Sequence, residues 1–436
     1  MIISPFKKVY YFLVIAVSLF GSTLGLGTSV DQFGISPSDL ATGNARVASP
    51  NPATAAYLNP AGLVSEELSS TSVSIYQSSV ELKALDAPPS SSEILVTDQS
   101  LSNIRAPLSG ANFGYQTRLP FTGFFGLAGS IPEGFLRMYG GSGKDPAYLH
   151  YNERARKPEL YVALAVPLPY GVSFGAGVYM NLSAKGVLQV GLEPNESRGR
   201  MELRTEPVVI PYGGLRWRGP KFMQGQLALG LFYRKGHTSA VNIDSDLSAG
   251  GDSFRVPAAV ESNLAAFHDP TVFRYGASYM QGAVSWHIAY ELVDWRDYLE
   301  PTMVLRGEDI TTLSGGGQVS PRQPLKSANN IKLGVSYEPS YLLNTEFSMG
   351  FESRGSAIKD QARSPYLLDP RRWTLGAGMS LDFFPATING EKADSSIDFA
   401  FSYTKVEDIS YPLGGGKLGA AGGVIHTAVA GLQRRF

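Results

Sequence analysis

The stretch Val284-Ser-Trp-His-Ile-Ala-Tyr-Glu-Leu292 decides how the rest of the chain is read. Side chains of an extended backbone alternate between two faces. Here Val284, Trp286, Ile288, Tyr290 and Leu292 share one face, and Ser285, His287, Ala289 and Glu291 share the other. A period of two describes a strand with one greasy and one polar side. The pattern returns downstream. Ile331, Leu333, Val335 and Tyr337 oppose Lys332, Gly334, Ser336 and Glu338, and Phe347, Met349 and Phe351 oppose Glu346, Ser348, Gly350 and Glu352. From Trp373 to Phe383 apolar residues alternate with Thr374, Gly376, Gly378, Ser380 and Asp382. Ile397, Phe399, Phe401 and Tyr403 then alternate with Asp398, Ala400, Ser402 and Thr404.

Alternation alone also fits a soluble β-sandwich, which hides one face in a core. Two features select a membrane barrel instead. The polar face is rich in Gly, Ser, Thr and charge, as the wall of a water-lined or plugged lumen is. The connections alternate between short and long, as periplasmic turns and external loops do. Strands are expected at 69–82, 110–119, 122–131, 158–167, 171–192, 200–217, 225–244, 272–281, 283–305, 329–338, 344–353, 371–383, 394–407 and 424–436. Short turns fall at Pro120, Pro167–Gly171, Gly219–Gly225 and Gln281–Gly282, while the intervening connections, such as Ala84–Ser109 and Glu133–Lys157, are long and polar. The fold class is therefore an all-β, antiparallel transmembrane barrel of about fourteen strands, and the even count puts both termini on the periplasmic side.

Composition agrees. The 436 residues include 48 glycines and no cysteine, with a net charge of -1 and a mean hydropathy of -0.05. That hydropathy argues against a helical membrane protein, and the charge balance offers no basic surface for nucleic acid. The lack of cysteine excludes disulfides, thiol nucleophiles and Cys-based metal sites. At the N-terminus Lys7 and Lys8 precede an apolar run from Val9 to Phe20 and then small residues. These are the parts of a signal peptide, residues 1–27, cleaved near Gly27. The run is shorter than the roughly 20 residues of a spanning helix.

Catalytic signatures are missing: five histidines form no HExxH motif, and no phosphate-cradling or dinucleotide loop follows a strand. Gly315-Gly316-Gly317 and Gly414-Gly415-Gly416 read as loop tips. Ser285 and His287 share a face, but the pairing stands alone. No enzyme, metal or cofactor is expected.

Between the leader and the first strand lies SPSDLATGNARVASPNPATAAYLNPAGLVSEE. Its Gly43, Ala45 and Asn59-Pro60-Ala61-Gly62 resemble the hatch of the FadL-type (OmpP/TodX) outer-membrane transporters of long-chain fatty acids and other hydrophobic compounds. By itself NPAG also reads as a turn, opened by Asn-Pro and closed by Gly. Similar matches follow in FRYGASY (273–279), AYELVDW (289–295), IKLGVSYEP (331–339), FSMGFESR (347–354) and LDPRRWTLGAGMSLDF (368–383). The resemblance implies a plug of residues 28–68 inside a barrel of residues 69–436. It implies uptake of a hydrophobic small molecule, caught by external loops and released sideways into outer-membrane lipid through a gap at a kinked third strand. Here that strand is Thr122–Ile131, with Gly123, Gly126 and Gly129 as candidate kink residues. The same glycines could instead relieve crowding in a narrow sheet.

A dry path suits such cargo, because an alkyl chain crossing water forgoes about 0.8 kcal/mol per methylene. A carboxylate head would still need a donor inside. By alternation Arg274, His287 and Lys332 face away from lipid and are candidates for that contact. Alternatively each is a lumen charge satisfied by Glu291, Glu346, Glu352, Asp382 or Asp398. The C-terminal Phe436, on one face with Leu432, Ala430 and Ala428, resembles the signal read by the barrel-insertion machinery. Arg434 departs from that apolar face and is expected to snorkel. The chain is expected to act as a monomer. A rival function on the same fold is a non-transporting scaffold for protein secretion or surface attachment; a general porin is disfavoured by the plug.

Overall fold

The computed structural model describes residues 33–83, 108–133, 147–148, 150, 158–193, 196–222, 224–249, 256–298, 302–306, 325–339, 345–359, 367–388, 391–414 and 417–436. The leader expected at 1–27 and the glycine cluster 315–317 lie outside these residues.

Nineteen strands occur among the described residues. On the first side of the chain they are β1 (Ser69–Leu82), β2 (Leu108–Arg118), β3 (Phe124–Pro132), β4 (Ala147–Tyr148), β5 (Glu159–Pro167), β6 (Val172–Glu193) and β7 (Glu196–Phe222). Then come β8 (Gly225–Arg234), β9 (His237–Ala249), β10 (Val256–Asp269), β11 (Thr271–Gln281), β12 (Val284–Asp294) and β13 (Thr302–Arg306). The last are β14 (Ser327–Tyr337), β15 (Thr345–Arg354), β16 (Leu367–Leu368), β17 (Arg372–Ile388), β18 (Glu391–Gly414) and β19 (Lys417–Arg435).

Fourteen of them, all but β4, β9, β10, β13 and β16, pair antiparallel in sequence order. The ring closes where β1 meets β19, from Ser70↔Arg435 to Leu82↔Gly423. Closure leaves no unpaired edge, which is what lets strands sit in hydrocarbon. At the seam Phe436 donates its amide to Ser69 O at 2.8 Å, and the Arg434 guanidinium lies 4.7 Å over the Phe436 ring. The alternation read from sequence is the wall itself. Trp286, Ile288, Met349, Phe401 and Leu432 are exposed on the outside, and His287, Glu291, Lys332, Glu352 and Asp398 are buried inside. An outward apolar belt around a closed barrel is the architecture of an outer-membrane protein. No helix among the described residues is long and apolar enough to cross a membrane.

Two expected strands are cut short. The span 225–244 ends as a wall strand at Arg234, where its ladders to β7 and β11 stop at Tyr212 and Val272. After Gly236 the chain leaves the wall and β9 pairs with β10 instead. The span 283–305 ends at Asp294, opposite Ser327. Trp295 then turns into a cluster with Leu325, Ala328, Ala357 and Ile358. Alternation continues past both points because extended chain outside the wall has the same period as chain within it.

Candidate functional site in the barrel interior

The interior is filled by residues 33–64, and that segment is built from three repeats of one local device. Ser36-Pro37, Asn51-Pro52 and Asn59-Pro60 each open a short helical turn: α1 (Pro37–Ala41) and two 3-10 turns, Pro52–Thr54 and Pro60–Leu63. The Ser or Asn side chain caps an amide two or three residues on, and proline fits the first helical position because it has no amide to leave unpaired. Ser36 Oγ accepts from Asp39 N at 3.2 Å, Asn51 Oδ1 from Ala53 N at 3.1 Å and Asn59 Oδ1 from Ala61 N at 3.1 Å. A second helical turn, α2 (Ala55–Leu58), joins the last two. These turns are too short to leave a helical period in the sequence. Asp39 is buried among Ser36, Thr54 and Arg46, and burial pushes its carboxyl above the usual carboxylate range despite the two hydroxyl donors.

The Asn59-Pro60-Ala61-Gly62 motif is wholly buried against the wall. Asn59 Nδ2 donates to Val47 O within the segment and to Leu215 O on β7, both at 3.1 Å, so one side chain ties the segment to itself and to the barrel. The wall makes room with glycines. A Cβ at Gly214 would land on Asn59 Oδ1, at Gly175 on the Pro60 carbonyl carbon, and at Gly350 on the Thr42 carbonyl carbon. Gly43, at φ +62°, lets the segment turn back against the Phe351 backbone. Below the motif Arg216 donates to Gly62 O and Val64 O, the latter at 2.8 Å. Sequence reasoning missed Arg216, although its alternation with Gly214 and Tyr212 marks the inward face.

On one side the wall is aromatic. Tyr161, Tyr179, Tyr212 and Phe232 from β5 to β8 cluster with Tyr57, Leu58 and Leu63 of the inner segment. Tyr161 stacks on Tyr179 with centroids 4.7 Å apart and meets Tyr57 edge-on at 5.2 Å. Their hydroxyls point to polar partners: Tyr212 to Ala56 O at 2.7 Å, Tyr161 to Glu159 and Tyr179 to Asp269. Arg234 donates to Tyr161 Oη at 2.6 Å and lies over the Tyr179 ring. None of these residues was singled out from sequence. The available signal was a tyrosine on the same face as glycines, as in Gly175, Gly177 and Tyr179.

On the other side, β11 to β15, the wall carries a row of charge. Arg274 bonds Glu291 on β12, Lys332 on β14 lies 3.1 Å from Glu291 and 3.4 Å from Glu352 on β15, and Arg354 bonds Glu352 at 2.7 Å. Asn330 donates to Glu291 at 2.8 Å. Two of the three candidate head contacts, Arg274 and Lys332, thus stand together in one ion-pair row. The third, His287, stands apart, with Nδ1 3.0 Å from Ser278 Oγ and 3.1 Å from Ser49 Oγ. Those hydroxyls, not that of Ser285, are the ones at the ring.

Of the third-strand glycines, Gly123 sits in the turn before β3. A Cβ at Gly126 would strike Leu63 on the inside, and one at Gly129 would strike the Phe113 ring on the outside. β3 runs in unbroken register with β2 from Phe124 to Pro132 and with β5 from Phe124 to Ser130. Among the described residues no group of His, Cys, Asp and Glu is placed to hold a metal ion.

No family model matches this chain, and no curated protein matches it by sequence. Solved structures do match. A Pseudomonas aeruginosa FadL homologue aligns over 95% of this chain and 99% of its own at 14% identity, with a TM-score of 0.57. The P. putida toluene transporter TodX aligns over 92% and 98% at 12% identity, TM-score 0.52. The CymD monoaromatic hydrocarbon channel aligns over 92% and 97% at 13% identity, TM-score 0.51. The chain therefore has the FadL-type fold, as the resemblance in its sequence implied.

Proposed function

We propose that this chain carries small hydrophobic molecules across the outer membrane, past an internal hatch and sideways into the bilayer. The observation that carries the reading is the seated hatch: a buried segment fitted into wall glycines, facing an aromatic wall on one side. A lumen filled this way suits cargo that moves along apolar surface rather than through water. The similar structures described as a toluene transporter and a monoaromatic hydrocarbon channel support it. Sideways release would part β3 from β5, where β3 is rich in Gly and Ala and so holds few side chains in place. Cleavage of the leader near Gly27 and insertion through Phe436 complete the proposal.

A partner-binding scaffold is the second reading, favoured by the ion-paired row of β11 to β15. Uptake of a labelled fatty acid and a labelled aromatic hydrocarbon, by cells with and without the protein, separates the two. Transport requires faster uptake of at least one compound; equal uptake of both overturns it. Deleting Ser36–Val64 is expected to leave the barrel inserted but leaky to small ions, and unchanged conductance in planar bilayers would refute the hatch as a plug.

A further inference from the structure

Resting on the transport reading, we propose that the cargo carries no charge: the interior admits a neutral hydrocarbon or arene and rejects a carboxylate. An ionised head leaving water must find a cation with a donor to give. Around the external half of the hatch the described residues bury five cations, Arg234, Arg274, Lys332, Arg354 and Arg372, and five carboxylates, Glu159, Glu291 and Glu352 on the wall and Asp269 and Asp369 beside it, at the end of β10 and just before β17. Among these described residues the formal charges balance.

The geometry agrees with the charge count in the charged row of β11 to β15. The Arg274 guanidinium has its edge on Glu291 and on the Tyr57 hydroxyl, at 3.3 Å for the latter, and lies over two rings, Tyr57 at 5.0 Å and Phe232 at 4.9 Å. Lys332 is divided between Glu291 and Glu352. Arg354 grips Glu352 with Nε at 2.7 Å and Nη2 at 3.0 Å. Arg234 is engaged by Tyr161 and lies over Tyr179, and Arg372 lies 3.8 Å from Asp369. Arg216 lies beneath the hatch, with both Nη atoms on hatch carbonyls. A carboxylate entering this ring would add an unbalanced charge where the dielectric is low. A neutral molecule carries no such charge and gains from the ring faces of the aromatic wall.

The test uses cells lacking the protein and cells expressing it, with four labelled compounds in matched pairs: dodecane and laurate, naphthalene and 2-naphthoate. Stimulation of the neutral members is expected to exceed that of the acids by roughly tenfold or more, the worth of one charge-assisted hydrogen bond. Equal stimulation within the pairs, or stimulation of the acids alone, overturns the proposal while transport stands. No stimulation of any compound overturns transport itself, and the proposal with it. Glu291→Gln uncovers one positive charge beside Arg274 and Lys332, and laurate uptake is expected to rise toward that of dodecane. Unchanged laurate uptake with dodecane uptake intact overturns the assignment. If that variant fails to reach the membrane, Glu352→Gln puts the same question to Lys332 and Arg354.

Discussion

The wall formed by β5 to β8 and the wall formed by β11 to β15 enclose the same hatch with opposite chemistry. The first presents Tyr161, Tyr179, Tyr212 and Phe232, rings that gain about 1.5–3 kcal/mol each from burial and tolerate small shifts against one another. The second presents Arg274, Glu291, Lys332, Glu352 and Arg354, whose attraction is offset by the cost of taking each charge out of water. The charged wall is thus no stronger than an apolar one of equal volume. It is less forgiving, because each member leaves a buried charge behind when it goes. The inner segment thus has an adjustable surface on one flank and a fixed surface on the other.

The largest expected effect breaks that contrast at its most connected residue. Glu291→Ala leaves Arg274 and Lys332 without the carboxylate they share and should cost about 3–5 kcal/mol of barrel stability. Urea titration of the purified protein, read by the mobility of the unheated barrel in gels, would measure it. Phe232→Leu on the aromatic wall should cost less, roughly 2 kcal/mol or under, even with its ring contact to Arg274 lost. Equal losses at the two sites would erase the distinction between the walls. Replacing Glu291 together with both cations by Leu and Met should recover most of the loss, since the penalty is the unpaired charge rather than the missing pair.

A smaller effect is expected where the hatch meets the wall. In Gly214→Ala the new methyl falls on Asn59 Oδ1, and the amide cannot swing away because its Nδ2 donates to Val47 O and Leu215 O. Overpacking of this kind costs about 1–3 kcal/mol. The strain should be relieved by unseating the hatch rather than by opening the wall, because the ladder from Tyr212 to Arg234 and its neighbours holds β7 on both sides. Planar-bilayer recordings should then display openings absent from the unaltered protein. A silent variant with unchanged stability would mean that the hatch has room to spare at Asn59.

How much of this was legible follows from what a single sequence encodes. Alternation in Val284–Leu292 identified the wall and its inward face, because the period of a strand is a local property. Asn59–Gly62 could be read as a capped turn, because capping by Asn before Pro is local too. The ends of β8 and β12 were not legible, since they depend on where the neighbouring strands run out. Arg274 and Lys332 could be placed on the inner face, but not in one row with Glu291 and Glu352. That row is set by register across four strands, and a residue's partner across a ladder leaves no trace in its own segment. The aromatic cluster stayed hidden for the same reason: Tyr161, Tyr179 and Tyr212 come from three strands and meet only once the barrel closes.

The smallest effect sharpens the contrast most, because it concerns a hatch side chain that touches both walls. Tyr57 meets Tyr161 edge-on, takes Arg274 over its ring, and accepts from Arg274 Nη2 through its hydroxyl at 3.3 Å. Tyr57→Phe keeps the ring and its contact with the aromatic wall but removes the oxygen that faces the charged one. The loss should be about 1 kcal/mol, a hydrogen bond to a charged group offset by the ring contact that remains. Tyr57→Leu removes the ring as well and should lose more. The two walls then differ in which variant hurts when combined with a change on their own side. Phe should be nearly silent in the Glu291→Ala background, where the Arg274 guanidinium is already released from its place. If Tyr57→Phe instead costs the same with and without Glu291, the hydroxyl does not depend on the charged row, and the hatch is held by its rings and caps alone.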